Sequence, residues 1–506
     1  MTVSNSPTVE KLFAGERKLL VMLLIALPGA AAFGLAMANE PLLATGVLLS
    51  IPLLLALLKW PDAATLLVVF YIYANVGPVL TRFHGVPSYI SQGFPVLLTI
   101  PLIWYLLMRR ERLIITPVFQ WLLMLLVVYL VGAAFSSDIS LTTRKLIDYL
   151  FEGVILYFFL TNVIRTPLML KRVVWALLIS GALIGGLSLY QQVTGTFDNN
   201  YGGFAQVAGS FGTGEEALQG EIEQPRLMGS IGEQNRYAQN MLMLVPLGLF
   251  QLWIYRSTGA RILAILLTGL IVIGGALAFS RGAAVGFVIM ILIFVLLRYI
   301  KFYQFLLLVL GAILILWMFP QYGVRLASLG VFSDAASSEG GAPLAGADGA
   351  IRGRATVTLA ALQIFLDNPV FGVGPDMVRY YTQDYSREIG IRYITWNPQA
   401  HSLLPGIAAE SGIVGLICFL LILYIPLRDL VRARNRWRFR HPERSYLATA
   451  FFQAVVSYVV TGLFLHMAYM RFFFLMIALA VVASSFIEED TVVEAKTTET
   501  VLVPGN

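Results

Sequence analysis

Residues 372–415 read GVGPDMVRYYTQDYSREIGIRYITWNPQAHSLLPGIAAESGIVG and decide how the chain divides. The first two thirds of this stretch are polar, aromatic and rich in arginine. They end at His401, just before an apolar run that carries Glu410. Because long apolar runs lie on both sides, the pattern predicts a loop outside the bilayer between membrane-embedded helices.

The composition sets the class of protein. Of the 506 residues, 58% are hydrophobic and 13% are charged, whereas a soluble domain has about 25% charged residues. The apolar runs recur at about twenty residues, the length that crosses a hydrocarbon core of about 30 Å. The sequence therefore predicts an all-α polytopic membrane protein with about 12–14 transmembrane helices and a large periplasmic loop carrying short helices.

Hydropathy and the distribution of basic residues predict the topology. The apolar runs give candidate spans near 19–38, 41–58, 63–80, 94–108, 119–135, 146–163, 171–191, 237–255, 261–279, 283–299, 303–319, 407–427, 446–466 and 470–487. Most lysines and arginines are cytoplasmic if the N-terminus is inside, as the positive-inside rule requires. We then expect a cytoplasmic tail at 1–18, a transmembrane bundle at 19–191, a periplasmic loop at 192–236, transmembrane helices at 237–319, a large periplasmic loop at 320–406, transmembrane helices at 407–487 and a cytoplasmic tail at 488–506.

Several kinds of chemistry have no motif in this chain. A P-loop and a His-Glu-x-x-His zinc motif are missing, and the four histidines are scattered. The outer loops contain no Asp-x-Asp pair that would hold a divalent cation. The net charge of +6 is ordinary for basic cytoplasmic loops and does not indicate nucleic acid binding. We therefore expect no metal and no cofactor, and arginines would have to neutralise any phosphate.

His401 is the sharpest catalytic candidate. An imidazole titrates near neutral pH and can accept a proton from an attacking hydroxyl, although a lone loop histidine more often has a structural role. Glu410 follows nine residues later, so it is not expected to touch His401, but it can face the same cavity. A carboxylate so close to a span needs a partner or water.

Arginines supply the candidate anion site. Arg281 lies in the Ser280-Arg281-Gly282 corner between two apolar runs, where an arginine faces either a protein cavity or lipid headgroups. Arg226, Arg352 and Arg354 are individually weaker candidates, since each is more often a solvated charge. Together with Arg281 they form the kind of cradle that stabilises charge on a leaving diphosphate.

Four stretches carry a family resemblance. They are Arg226 to Asn235 (RLMGSIGEQN), Ser280 to Gly282, Arg354 to Pro375 (RATVTLAALQIFLDNPVFGVGP) and His401 to Gly415. In combination they resemble the O-antigen ligase and polymerase superfamily of bacterial polysaccharide assembly. The resemblance implies a GT-C-like, multi-pass enzyme of the bacterial inner membrane with its active site facing the periplasm. It also implies a glycan donor on undecaprenyl diphosphate.

The resemblance further implies roles for individual residues. His401 would deprotonate the acceptor hydroxyl, Arg226 and Arg281 would hold the diphosphate, and direct attack would invert the anomeric carbon without a metal. Arg352, Arg354, Asn235 and Glu410 would contact substrate. The chain departs from the family pattern at Ser402, where asparagine is usual. The family includes ligases that act on lipid A-core, polymerases that extend a glycan and enzymes that glycosylate proteins, so the acceptor stays open.

Two other classes remain as alternatives. Some relatives of the superfamily have been described as bicarbonate or solute transporters, and a transporter would place ionisable groups near the membrane centre and interrupt its helices. Glu152 is the main carboxylate inside a predicted span. A purely structural membrane protein is the third possibility. The polar residues gather instead in two outer loops, which favours an enzyme acting at the membrane surface.

Overall fold

The computed structural model describes residues 55–208, 225–301, 303–306, 349–394, 398–400, 402–467 and 470–501, with isolated residues besides. Predicted spans at 19–38, 41–58 and 303–319 lie wholly or mostly outside these residues. The described helices are α1 (Pro61–Tyr73), α2 (Val76–His84), α3 (Ser88–Met108), α4 (Pro117–Ala133), α5 (Ile139–Val163), α6 (Pro167–Thr194), α7 (Gln234–Ile254), α8 (Thr258–Ala276), α9 (Arg281–Leu296), α10 (Gly349–Asp367), α11 (Val378–Ile389), α12 (Leu403–Trp437), α13 (Pro442–Gly462) and α14 (Met470–Val501).

Many of these helices are membrane spans by length and hydropathy. Six described helices are long and apolar enough to cross a bilayer, namely α3, α5, α6, α8, α12 and α13. Helices α1 and α2 pass the same test as a pair bent by 59°, with Asn75 in the left-handed conformation at the bend (φ 58°). The prediction of an all-α polytopic membrane protein is confirmed.

Local sequence explains where several helices begin. The side chain of Asp138 accepts from the backbone amides of Ser140 and Leu141 and caps α5. Glu233 caps α7 through the amides of Asn235 and Arg236, and Ser280 caps α9 through the amide of Ala283. Such caps satisfy the first N–H groups of a helix, which have no partner within it. Helices α4, α6 and α13 have proline in their first turn, where its missing N–H costs no hydrogen bond within the helix.

A small sheet lies within residues 192–236, the segment that was predicted as a loop. Strand β1 (Gln206–Ala208) pairs antiparallel with β2 (Arg226–Gly229). The backbone amide of Leu227 in β2 also donates to the carbonyl of Leu277, 3.2 Å away. The sheet therefore holds the start of α7 against the corner between α8 and α9. Residues 209–224 lie outside the described part of the chain.

Contacts between helix ends show that several connecting segments lie together at one end of the bundle. Gly132 at the end of α4 lies against Gly374. Lys145 near the start of α5 donates to the Met467 carbonyl before α14, at 3.2 Å. Gly462 at the end of α13 lies against Leu403 at the start of α12. We call this end, with residues 134–138, 277–280, 370–394, 398–400, 402 and 463–467, the loop end.

Helix α12 is interrupted at Gly412, and the loop after α10 fills the break. Gly412 has φ 64° and ψ −166°, outside the helical region. The amides of Val373 and Gly374 donate to the carbonyls of Ala409 and Glu410 at 2.9 and 3.1 Å. In return, the amides of Ile413 and Val414 donate to the carbonyls of Pro369 and Val370 at 2.7 and 3.4 Å. The loop therefore satisfies backbone groups that the broken helix leaves unpaired.

Candidate functional site

Arg226 is the centre of a cluster at the loop end that we call the arginine corner: Arg226, Asn235, Ala278, Phe279, Ser280 and Arg281. The Arg226 guanidinium donates from Nε to the Ala278 carbonyl at 3.0 Å and from Nη2 to the Phe279 carbonyl at 3.4 Å. Nη2 also lies 3.3 Å from Asn235 Oδ1. Three sequence-predicted residues, Arg226, Asn235 and Arg281, are thereby brought to one place.

Two helix N-termini meet at the arginine corner. Asn235 lies in the first turn of α7, and Arg281 is the first residue of α9. A helix N-terminus carries a partial positive charge and exposes backbone N–H groups. Because Arg226 is bonded both to Asn235 and to the carbonyls before Ser280, it connects the two helix ends. The α7 end is capped by the Glu233 carboxylate and the α9 end by the Ser280 hydroxyl.

Arg236 is a third arginine beside this corner, and the sequence did not predict it as a site residue. It is only 2% exposed, and its Nη1 donates to Gln239 Oε1 at 3.0 Å. Gln239 Nε2 in turn donates to Thr461 Oγ1 at 2.9 Å, near the end of α13. A buried arginine is costly unless it is well partnered. Arg236 is partnered by Gln239, and Gln239 in turn connects the start of α7 to α13.

A small polar cavity lies where α4, α5, α12 and the segment before α14 meet. Its volume of about 20 Å³ is that of a site for a single water. We call it the Glu410 cavity, and its lining includes Tyr129, Lys145, Gln399, Ala400, Leu403, Glu410, His466 and Met467. Glu410 is half-buried and lines this cavity with Lys145 and Gln399, whereas its contact with substrate stays a prediction.

His401 itself lies outside the described residues, but both of its neighbours are described. Ala400 and Ser402 are 4% and 5% exposed, and Ala400 lines the Glu410 cavity. Gln399 is anchored through Nε2 to Asp376 Oδ1 at 2.9 Å, and Asp376 also accepts from Arg379 at 2.7 Å. Gln399 and Ala400, the two residues before His401, therefore lie at the same cavity as Glu410.

The segment between α13 and α14 connects the arginine corner with the Glu410 cavity. Phe464 packs against Gly282, where an added Cβ would lie 3.3 Å from its ring. His466 and Met467, two and three residues later, line the Glu410 cavity. The arginine corner and the cavity are thus separated by a few side chains within one end of the bundle.

Helix α11 and the arginines of α10 form the outer part of the loop end. Tyr380 donates to Asp138 Oδ2 at 2.8 Å, and Tyr385 donates to Asp367 Oδ2 at 2.5 Å. The backbone amide of Leu141 and the Tyr380 hydroxyl lower the pKa of Asp138, while the bond to Asp367 raises the pKa of Tyr385 to about 12. These bonds dock α11 onto the α4–α5 turn and onto α10.

Arg352 and Arg354 flank Gly353 in the first half of α10, and both are half-buried. Arg392, after α11, packs on Gly353, where a Cβ would lie 3.6 Å from Nη1 of the arginine. The two predicted substrate-binding arginines therefore belong to a second basic group, on the outer side of the loop end.

Glu152 has a partner that the sequence did not reveal. Arg471 at the start of α14 forms an ion pair with Glu152 and donates to Asn75 Oδ1 at 2.6 Å. Asn75 donates to the Ser230 carbonyl at 2.6 Å. Glu152 lies in a π-helical segment, Tyr149–Ile155, within α5. The bend between α1 and α2 is thus held by an ion pair that joins three distant parts of the chain.

Metal ligands do not gather in the described part of the chain: no group of three or more histidine, cysteine, aspartate or glutamate side chains there is arranged to hold an ion. Among the charged groups at the loop end are several guanidinium groups, beside carboxylates such as Asp138 and Asp376. The guanidinium groups suit carboxylate or phosphate oxygens, which a planar fork of N–H donors can bind at two points.

Comparison with known proteins agrees with this picture. No curated protein matches the chain. Residues 263–420 match the protein-family model described as O-antigen ligase. The match runs from α8 to the first half of α12 and includes Arg281, the Gly372–Gly374 loop and Glu410. As its motifs predicted, this part of the chain, 158 of the 506 residues, is similar to the O-antigen ligase family.

Proposed function

We propose that this protein transfers a glycan from undecaprenyl diphosphate to an acceptor hydroxyl at the periplasmic face of the bacterial inner membrane. The family match supports the broader statement, a glycosyltransferase-like role in polysaccharide assembly. The observation that carries the narrower proposal is the arginine corner, where Arg226 is bonded to the carbonyls directly before Arg281. Lipid-linked diphosphate is the polyanion that a membrane-embedded corner of this kind would bind.

The proposed reaction is a single displacement. The acceptor oxygen forms a bond to the anomeric carbon as the bond to the diphosphate oxygen breaks, so the configuration inverts. His401 takes the proton of the acceptor hydroxyl, and the electron pair of the broken bond remains on the diphosphate. Arg281 and Arg226 stabilise that charge, with no metal needed.

The proposed partners follow from this chemistry: a glycan on a polyprenyl carrier as donor, and a growing glycan or lipid A-core as acceptor. The basic residues support the orientation. Arg109, Arg165, Arg256 and the arginines of 428–440 lie at helix ends opposite the loop end, as expected for the cytoplasmic side. The loop end would then face the periplasm.

A direct test uses the full chain in proteoliposomes with a lipid-linked glycan, scored by product and by released undecaprenyl diphosphate. We expect His401→Ala to abolish transfer, and Arg281→Lys to lower it at least about tenfold because a point charge cannot bind two oxygens at once. His441→Ala and Arg432→Lys, at the opposite end, are the matched controls. Full turnover by His401→Ala would remove the proposed base.

Interrupted helices at Asn75 and Gly412 and the Glu152–Arg471 ion pair are features that a transporter would also show. Both breaks are filled by protein: Asn75 bonds to Ser230 and Arg471, and Gly412 lies against Val370. Flux of labelled bicarbonate into the same proteoliposomes, unchanged by His401→Ala, would favour transport over transfer.

A further inference from the structure

An open groove on the outer side of the loop end has no part in the reaction described above. Its volume is about 530 Å³, within the range of small-molecule sites. It is lined by Ser386, Arg387, Gly390, Ile391, Arg392 and Tyr393. We call it the Arg387 groove. Its only charged lining residues are two arginines, so its ligand should carry negative charge.

Arg387 is held in place before any ligand arrives. Its Nη2 donates to the Tyr393 hydroxyl at 2.9 Å, and its Cζ lies 5.2 Å from the centre of the Tyr393 ring. Its Nη1 lies 3.7 Å from Asp384 Oδ1. A guanidinium has five N–H donors, and these two polar contacts engage two of them. The side chain is 63% exposed, so the remaining donors are accessible from the groove.

Tyr393 adds an aromatic surface to the groove. The residue is 47% exposed, and the Arg387 guanidinium lies over its ring. An exposed aromatic ring beside guanidinium groups offers an apolar face for the C–H side of a sugar ring, next to donors for an acidic substituent. A lipid chain would need a continuous apolar surface instead, and Ser386, Gly390 and two arginines interrupt this one.

The groove continues toward the proposed substrate-binding arginines. Arg392 lines the groove and packs on Gly353, whose neighbours in α10 are Arg352 and Arg354. Arg387 and Arg392 in the groove and Arg352 and Arg354 in α10 therefore belong to one basic region of the loop end.

We propose that the Arg387 groove binds acidic sugar units, such as uronic acids, of the glycan that the enzyme handles. This inference rests on the proposed function, because it names the class of glycan. The sugar carboxylate pairs with Arg387 and Arg392, and the sugar ring lies on Tyr393. The groove gives the enzyme a preference for anionic repeat units without taking part in bond breaking.

Binding without turnover tests the proposal. The full chain in nanodiscs of zwitterionic lipid is titrated with hexagalacturonate and with the same hexamer after reduction of its carboxyl groups. We expect the acidic hexamer to bind at least about tenfold more tightly, with weaker binding at higher salt. The double variant Arg387→Gln/Arg392→Gln should lose that preference, and Tyr393→Ala should weaken binding of both hexamers.

Arg432→Gln is the matched control. Arg432 is 64% exposed and lies 3.7 Å from Asp429, three residues before it, whereas Arg387 is 63% exposed and 3.7 Å from Asp384, also three residues before it. Removing Arg432 should leave the preference unchanged, because that arginine lies at the opposite end of the bundle. Unchanged melting of each variant shows that the fold is intact.

Three outcomes would overturn the proposal. They are equal binding of both hexamers by the unaltered protein, an undiminished preference in the double variant, and binding of phosphatidylglycerol vesicles in place of the acidic hexamer. The last would identify a lipid headgroup site. Because no turnover is measured, loss of glycan transfer in the proteoliposome assay leaves this result standing, and the two failures can be told apart.

Discussion

Gly372→Ala is the sharpest test of the connection between the outer loop and helix α12. Gly372 has φ +67°, and a Cβ there would lie 2.4 Å from the Ala409 carbonyl oxygen and 2.6 Å from the Ser411 nitrogen. Neither is the tip of a flexible side chain, so the loop itself must move. Its four backbone hydrogen bonds to the break in α12 would then lengthen or be lost.

Gly195→Ala is the control that measures the cost of the backbone strain alone. Gly195 has φ +68° at the end of α6, and a Cβ there would meet no atom within 4 Å. Both substitutions impose the same backbone strain, about 1–2 kcal/mol. Only Gly372→Ala also disturbs four hydrogen bonds, each worth about 1 kcal/mol net. We therefore expect it to destabilise the protein by up to about 4 kcal/mol more than Gly195→Ala.

Two measurements on the full chain in nanodiscs check this difference. The midpoint of thermal unfolding should fall further for Gly372→Ala than for Gly195→Ala. Hydrogen exchange should become faster at the amides of Val373, Gly374 and Ile413 in the first variant only. Equal melting of the two variants, with protected amides at all three positions, would show that the loop does not hold the break.

Three further predictions concern other parts of the loop end. Arg471→Ala should lower the free energy of unfolding by about 3 kcal/mol, because it leaves Glu152 without its partner in the membrane. Adding Glu152→Leu to this variant should restore part of the melting temperature. A double variant that melts no higher than Arg471→Ala would contradict the ion-pair argument. Folding lowers the pKa of Asp138, so the stabilising bonds of its carboxylate to the Leu141 amide and Tyr380 are present above about pH 4 and are lost as the pH falls through the folded pKa. The melting temperature should drop in that pH range, and Asp138→Asn should remove the dependence on pH. The same dependence in Asp138→Asn would contradict this prediction. Arg226→Lys should speed hydrogen exchange at the amides of Phe279 and Ser280, since one ammonium cannot reach two carbonyls and Asn235 together. Unchanged exchange would show that Arg226 does not hold the arginine corner together.

Local sequence was enough for the features that depend on neighbouring residues. The span pattern, the Ser280 cap before Arg281 and the end of α10 at Asp367 before Asn368-Pro369 all follow from residues close in the chain. The resemblance assigned Arg226 and Arg281 to the diphosphate and Asn235 to a substrate contact. In the structure Arg226 bonds to Asn235 and to the carbonyls before Ser280, while the roles of all three residues stay predictions. His401 lies outside the described residues, so its role stays a prediction, as does the division of the chain into loops and tails.

Features that need distant partners could not be predicted. The apolar run after Leu403 looks continuous, and only the loop at 369–374 explains why α12 breaks at Gly412. Pairing of β1 with β2 requires segments on either side of residues 209–224. Arg471 reads as a charge at the start of an apolar run until Glu152, more than three hundred residues earlier, is placed beside it.

The interrupted helix also has a consequence for how the protein is made. The amides of Ile413 and Val414 donate to the carbonyls of Pro369 and Val370, which leave the ribosome earlier and stay unpaired with α12 until it has been synthesised. Docking of that segment and completion of the helix therefore have to finish together. A chain truncated within α12 should keep residues 369–374 open to protease, and this segment should become resistant only once the second half of α12 has been synthesised.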